Sequence, residues 1–203
     1  MFERFTKHAR EVVQGAVEYG EREGSRAVDA GHLLLALLDR EGSRGSFALA
    51  ALGLDARKES VRSALEEARR RGGFTRADAD ALAGLGIDVS EIVHRIEESH
   101  GVGAMSGNGS ARGRRSGRRT FSQDAKDVLE RALRTAVASR DLPHARIRSR
   151  GGTPIIGDEH FLIALTICPG LPAEVLADHG VTYESVSRVL YGGREGGGEA
   201  KAS

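Results

Sequence analysis

Gly31-His32-Leu33-Leu34-Leu35-Ala36-Leu37 is written a second time in the chain as Glu159-His160-Phe161-Leu162-Ile163-Ala164-Leu165. After its histidine, each heptapeptide is apolar on almost every side. That pattern suits a helix at the centre of a bundle better than one lying half in solvent. Two such helices in one chain make an internal repeat the first question to settle.

Upstream, Phe5-Thr6-x-x-Ala9-x-x-Val12-Val13-x-x-Ala16 reads again as Phe121-Ser122-x-x-Ala125-x-x-Val128-Leu129-x-x-Ala132. Downstream, Ala51-Leu52-Gly53-Leu54 has its counterpart in Asp178-His179-Gly180-Val181. The offset between copies grows by twelve between the first helix and the second, which predicts a loop insertion in the second copy at roughly Leu142 to Pro154. Within each copy a first helix follows Thr6 or Ser122, whose hydroxyl suits an N-cap. The Leu-rich second helix begins near Asp29 or Asp158. A short third helix ends at Gly53 or Gly180, where glycine can take the left-handed conformation that closes a helix. A fourth starts after Asp55 or Thr182.

Material found only once lies between the copies. Asp78 to Ser99 predicts a short helix, a turn at Leu85-Gly86-Ile87, and an amphipathic helix with Val89, Ile92, Val93 and Ile96 on one side. This second helix is expected to close the first repeat. Gly101 to Arg119 is rich in Gly, Ser and Arg, has little to bury, and reads as a flexible linker. The expected organisation is repeat 1 over 1–100, linker over 101–119, repeat 2 over 120–191, and a disordered tail over 192–203.

Composition supports an all-α fold. Of the 203 residues 39% are hydrophobic and only 4% aromatic, and abundant Ala, Leu, Glu and Arg favour helix over sheet. Cys168 is the only cysteine, which excludes an intramolecular disulfide and a cysteine-rich metal site. The opening Met1-Phe2-Glu3-Arg4-Phe5 has no apolar run long enough for a signal peptide or membrane span, so a cytoplasmic protein is expected, with no membrane partner. Net charge is +1, but residues 101–120 hold five arginines and no acid, while 1–100 carry 15 basic and 18 acidic groups. Asn108-Gly109-Ser110 matches a glycosylation sequon by chance in such a segment.

Taken together, Met1-Phe2-Glu3-Arg4-Phe5-Thr6, the paired His-Leu-Leu-type helices and the Leu-Gly turn after a short helix resemble the double Clp N-terminal repeat over about residues 1 to 190. This is the substrate-recognition domain of ClpC-type Clp ATPases. The resemblance implies two small helical bundles packed pseudo-symmetrically into one domain that receives substrates, adaptors or cyclic peptides. No G-x-x-x-x-G-K-[ST] occurs, so the sequence offers no phosphate-cradling loop for a motor. The expectation is a non-enzymatic, free-standing recognition module without a cofactor, with Clp ATPase or protease components, substrate proteins or cyclic peptides as partners.

In that family the N-terminal Phe and the Phe opening the second repeat line a groove between the copies. Carried over residue by residue, the groove comprises Phe2, Arg10, Val13, Phe121, Lys126, Leu129 and Glu130. Aromatic anchors beside cations suit peptide binding; the alternative is that both rings are ordinary core. Gln14 and Val17 depart from the family pattern and leave ligand identity open. A Glu before the helix-2 histidine binds phosphorylated arginine in some ClpC-type domains, which would make Glu159 a guanidinium acceptor. Repeat 1 has Gly31 there, and the alternative for Glu159 is a solvated residue of the helix's first turn.

His32 and His160 lie in separate copies without ligand spacing, so they are read as buried, hydrogen-bonded structural histidines rather than metal ligands. Arg112, Arg114, Arg115, Arg118 and Arg119 form the strongest basic cluster, extended by Arg146, Arg148 and Arg150. Nucleic-acid or acidic-partner binding there is the alternative function, set against a solvated linker. No G-x-S-x-G or H-E-x-x-H is present, and Cys168 precedes Pro169 with no histidine fixed nearby by sequence, so a catalytic reading finds no motif.

Overall fold

The computed structural model describes residues 3–101, 119–139 and 154–192. Phe2, Arg112 to Arg118, Arg146 to Arg150 and most of the expected linker, insertion and tail lie outside the described residues.

The protein is all-α. In the first half α1 (Lys7–Arg22) is followed by the two-residue strand β1 (Ala27–Val28), α2 (Ala30–Leu38), α3 (Arg44–Ala51), a 3-10 turn at Asp55–Arg57 and α4 (Lys58–Arg70). Then come α5 (Arg76–Gly84) and α6 (Val89–His100). The second half runs β2 (Thr120–Phe121), α7 (Gln123–Ala138), α8 (Asp158–Ile167), α9 (Leu171–Asp178) and α10 (Tyr183–Tyr191), with its strand ahead of the first helix rather than after it. Among the described residues no single helix is long and apolar enough to cross a membrane.

Local chemistry accounts for the boundaries. Thr6 Oγ1 accepts from the Ala9 amide at 3.1 Å and starts α1. Asp29 Oδ1 accepts from the His32 amide at 2.9 Å while His32 Nδ1 accepts from the Asp29 amide at 3.0 Å, a reciprocal cap for α2. Gly53 and Gly180, at φ 71 and 78, close α3 and α9 in the left-handed region. Ser122 departs from expectation. It has the N-cap backbone conformation, but its hydroxyl donates to the Val28 carbonyl at 3.0 Å and holds the two halves together instead. The cap position of α8 is Gly157, not Asp158, and His160 Nδ1 accepts from the Gly157 amide at 2.9 Å.

The halves are interlaced. Val28, just before the second helix of one half, pairs with Phe121, just before the first helix of the other. The same relation appears a second time with the halves exchanged, as Phe5 pairs with Ile156. Thr6 donates to the Ile156 carbonyl at 2.9 Å, and the Ile156 amide donates to Arg4 at 2.7 Å. Helix packing follows the same exchange: α2 lies on α1 and α8 on α7, α2 meets α8 across the middle, α4 packs on α9, and α10 on α3. One continuous core results, with Leu33, Leu37, Phe161 and Leu165 at its centre.

The helix that closes repeat 1 is α4, with Val61 and Leu65 fully buried at a spacing of four. The expectation that α6 does so is corrected. Of its apolar stripe only Val93 is buried, Ile92 is 41% exposed, and α6 packs on α5 outside the core. The α5 end is tied to the second half by the Arg76 guanidinium, which pairs with Glu174 and Asp178 of α9. Ser60 of α4 and His179 just after α9 add a hydrogen bond at 2.9 Å between the halves.

Candidate functional site

A cleft of about 1140 Å³ opens at the N-terminus of α2, at the junction of the two halves. The first half supplies Asp29 and Gly31 at the start of α2, and Leu65, Glu66 and Arg69 from α4. The second half supplies Asp124, Asp127, Val128 and Arg131 from α7 and the turn from Cys168 to Pro172 between α8 and α9. On its first-half side the last turn of α4, which ends at Arg70, stands against the start of α2, where Arg69 bonds to Asp29.

The inner wall of the cleft is a charged network. The Arg69 guanidinium forks onto two carboxylates, donating from Nη1 to Glu23 Oε2 at 2.8 Å and from Nη2 to Asp29 Oδ1 at 2.7 Å. His32, itself buried, places Nε2 3.1 Å from Glu23 Oε2. From the opposite half, Asp124 Oδ2 accepts from the Ala30 amide at 2.9 Å, a negative charge at the positive end of α2. Burial works against ionisation of Asp29, but the His32 hydrogen bond and the Arg69 charge outweigh it and hold the carboxyl below its ordinary value. Glu23 is lowered against the same opposing burial and by the same two partners. His32 moves the other way: burial pulls it down, yet the carboxylates beside its two ring nitrogens, Asp29 Oδ1 2.7 Å from Nδ1 and Glu23 Oε2 3.1 Å from Nε2, raise it.

The equivalent place in the second half is closed. Glu159 is 1% exposed, with Oε1 3.5 Å from Arg44 Nη1, and its carboxylate folds back over Gly157. It is therefore neither a solvated first-turn residue nor an open acceptor for an incoming guanidinium. Its neighbour Asp158, also buried, accepts from the Gly45 amide at 3.0 Å and so serves the start of α3. Burial first, and then the Glu159 charge, push Asp158 above its ordinary value, against hydrogen bonds from Ser43 and Gly45.

Of the groove residues carried over from the family, Glu130 lines this cleft. Arg10 and Lys126 are exposed on α1 and α7, and Leu129 and Phe121 are half-buried against the core. Val13 is only 6% exposed and is part of the core. His32 and His160 are buried and hydrogen-bonded, as read from the sequence. Among the described residues no cluster of His, Cys, Asp and Glu is arranged to hold a metal ion. The residues that sequence reasoning missed are Arg69, Glu23 and Asp124. Arg69 has no counterpart within α10, so the repeat carries no signal for it.

Residues 4–78 match the family model of the Clp repeat (R) N-terminal domain. The match runs from the start of α1, through α4 and into α5, and so takes in the first half of the interlaced core and one wall of the cleft. No curated protein matches the chain.

Proposed function

We propose that this protein is a non-catalytic binding module for polypeptide segments, related to substrate recognition in Clp proteolysis. In this reading it acts as an adaptor, or as a decoy that sequesters substrates or cyclic peptides. The observation that carries it is the Clp repeat match over residues 4–78, on a fold whose two halves jointly frame an open cleft. A concave site with an apolar floor and a few fixed polar groups is the general form of a ligand site. Function at this level still rests on the family as well as on the site.

The test uses the full chain as bait, with captured proteins identified and each interaction reconstituted from purified components. Direct binding of a Clp ATPase or protease subunit supports the adaptor role. Binding of Clp substrates or cyclic peptides without those subunits supports the decoy role. Failure to reconstitute any Clp component, substrate or peptide would overturn the reading.

A further inference from the structure

The cleft between α4 and α7 carries a charge pattern that goes beyond a general peptide site. Its lining includes seven carboxylates and four guanidiniums. Three of the four guanidiniums are committed to carboxylates, and the fourth, Arg131, lies beside Cys168 one turn from Asp127. Arg69 is held by Glu23 and Asp29, Arg70 pairs with Glu67, and Arg134 with Glu130. Asp124 serves the Ala30 amide. Glu66 on the α4 wall and Asp127 on the α7 wall are both exposed, and among the described residues neither makes an ion pair, while Asp127 Oδ1 accepts from Gln123 Nε2 at 2.8 Å. The accessible part of the floor is apolar, formed by Cys168, Pro169 and Leu171, and behind it Leu65, Val128, Leu165 and Pro172 are buried.

We propose that this cleft selects unmodified basic segments, with a Lys or Arg side chain laid over the apolar floor and its cation set between Glu66 and Asp127. The proposal deepens the peptide-binding reading above and rests on it. Long basic side chains suit such a surface because their methylene stems bury against apolar atoms while the charged head stays at a polar rim. The volume exceeds what one side chain fills and accommodates a short run of peptide. A phosphate or carboxylate entering the same place meets Glu66, Asp124 and Asp127, whose three charges outweigh that of Arg131. Recognition is therefore of the cation itself, and phosphorylation of the incoming residue works against it.

The test measures fluorescence anisotropy of three labelled peptides on the full chain, identical except for a central pair of Arg, Gln or Glu residues. The Arg peptide is expected to bind at least tenfold tighter than the Gln peptide, with an advantage that shrinks as salt rises. Glu66→Gln with Asp127→Asn should reduce that advantage at least fivefold and leave the weak Gln-peptide affinity unchanged. Equal affinity for the Arg and Gln peptides, or no effect of the paired substitution, overturns the proposal. Maleimide labelling of Cys168, in the cleft wall, separates this from the parent reading. Protection by all three peptides alike sinks charge selection and leaves peptide binding standing, while protection by none sinks both.

Discussion

Nη2 of Arg69 lies 2.6 Å from the point where a β-carbon on residue 31 would stand. Gly31 is thus the space that the Arg69 fork needs to reach Asp29 and Glu23. Replacing Arg69 with Ala removes two charge-assisted hydrogen bonds and leaves two carboxylates beside each other, at an expected cost of about 2 kcal/mol. Gly31→Ala gains up to about 1 kcal/mol of helix propensity but pushes the fork aside. It should therefore be more favourable in the Arg69→Ala background than in the native one. A double-mutant cycle by urea denaturation checks this, and additive effects would show that the two residues are not coupled.

The same network sets a pH window. Asp29 and Glu23 have folded values below their ordinary 3.8 and 4.5, so their contribution is complete above those values and is lost as pH falls through the lowered ones. His32 is raised above 6.5, so its contribution is complete below 6.5 and is lost as pH rises through the raised value. The network should stabilise most between about pH 4.5 and 6.5. His32→Gln retains an acceptor for the Asp29 amide but cannot titrate. Denaturation midpoints of this variant should lose the decline above pH 6.5 and keep the acid limb; an unchanged alkaline decline would exclude His32 as its source.

Asp158 gives a prediction of the opposite kind. A buried carboxyl whose folded value is raised makes the folded state less stable as pH rises from the ordinary value of 3.8 through the raised one, because the charge is better solvated in the unfolded chain. Asp158→Asn keeps an oxygen for the Gly45 amide and removes the charge beside Glu159. It should raise the thermal midpoint at pH 7, with the gain vanishing below the ordinary Asp value of 3.8. A lowered midpoint at pH 7 would mean that the Asp158 charge is itself stabilising.

The helices were legible because their signals are local. Thr6, Asp29 and Thr182 cap where their side chains can reach the next turn, and the glycines at 53 and 180 close helices by their own conformation. Both central helices were legible because each is written in apolar residues. The closing helix was misread because the stripe on α6 has the right spacing but is left in solvent, whereas Val61 and Leu65 sit among charges and meet α9 only in three dimensions. The cleft was not legible, and of the described groove residues taken from the resemblance only Glu130 lines it. Its chemistry depends on Arg69, Asp124 and Gly31, which are far apart in the chain and meet only in the folded structure.

The exchanged pairings make a final claim about cooperativity. Phe5 packs its ring on Phe161 at 6.0 Å between centroids, and Ile156, 3% exposed, bonds to the backbone on either side of Phe5. The first helix of one half is therefore anchored by the entry to the second helix of the other. Ile156→Ala removes buried volume at that anchor and should cost about 2 to 4 kcal/mol. If the halves were independent bundles, the loss would appear as weaker amide protection in α7 and α8 alone. Because α1 starts on the Ile156 carbonyl, native-state hydrogen exchange should instead show α1 and α8 losing protection together, with one unfolding transition. Protection of α1 that survives unchanged in the variant would show that the interlacing does not couple the halves.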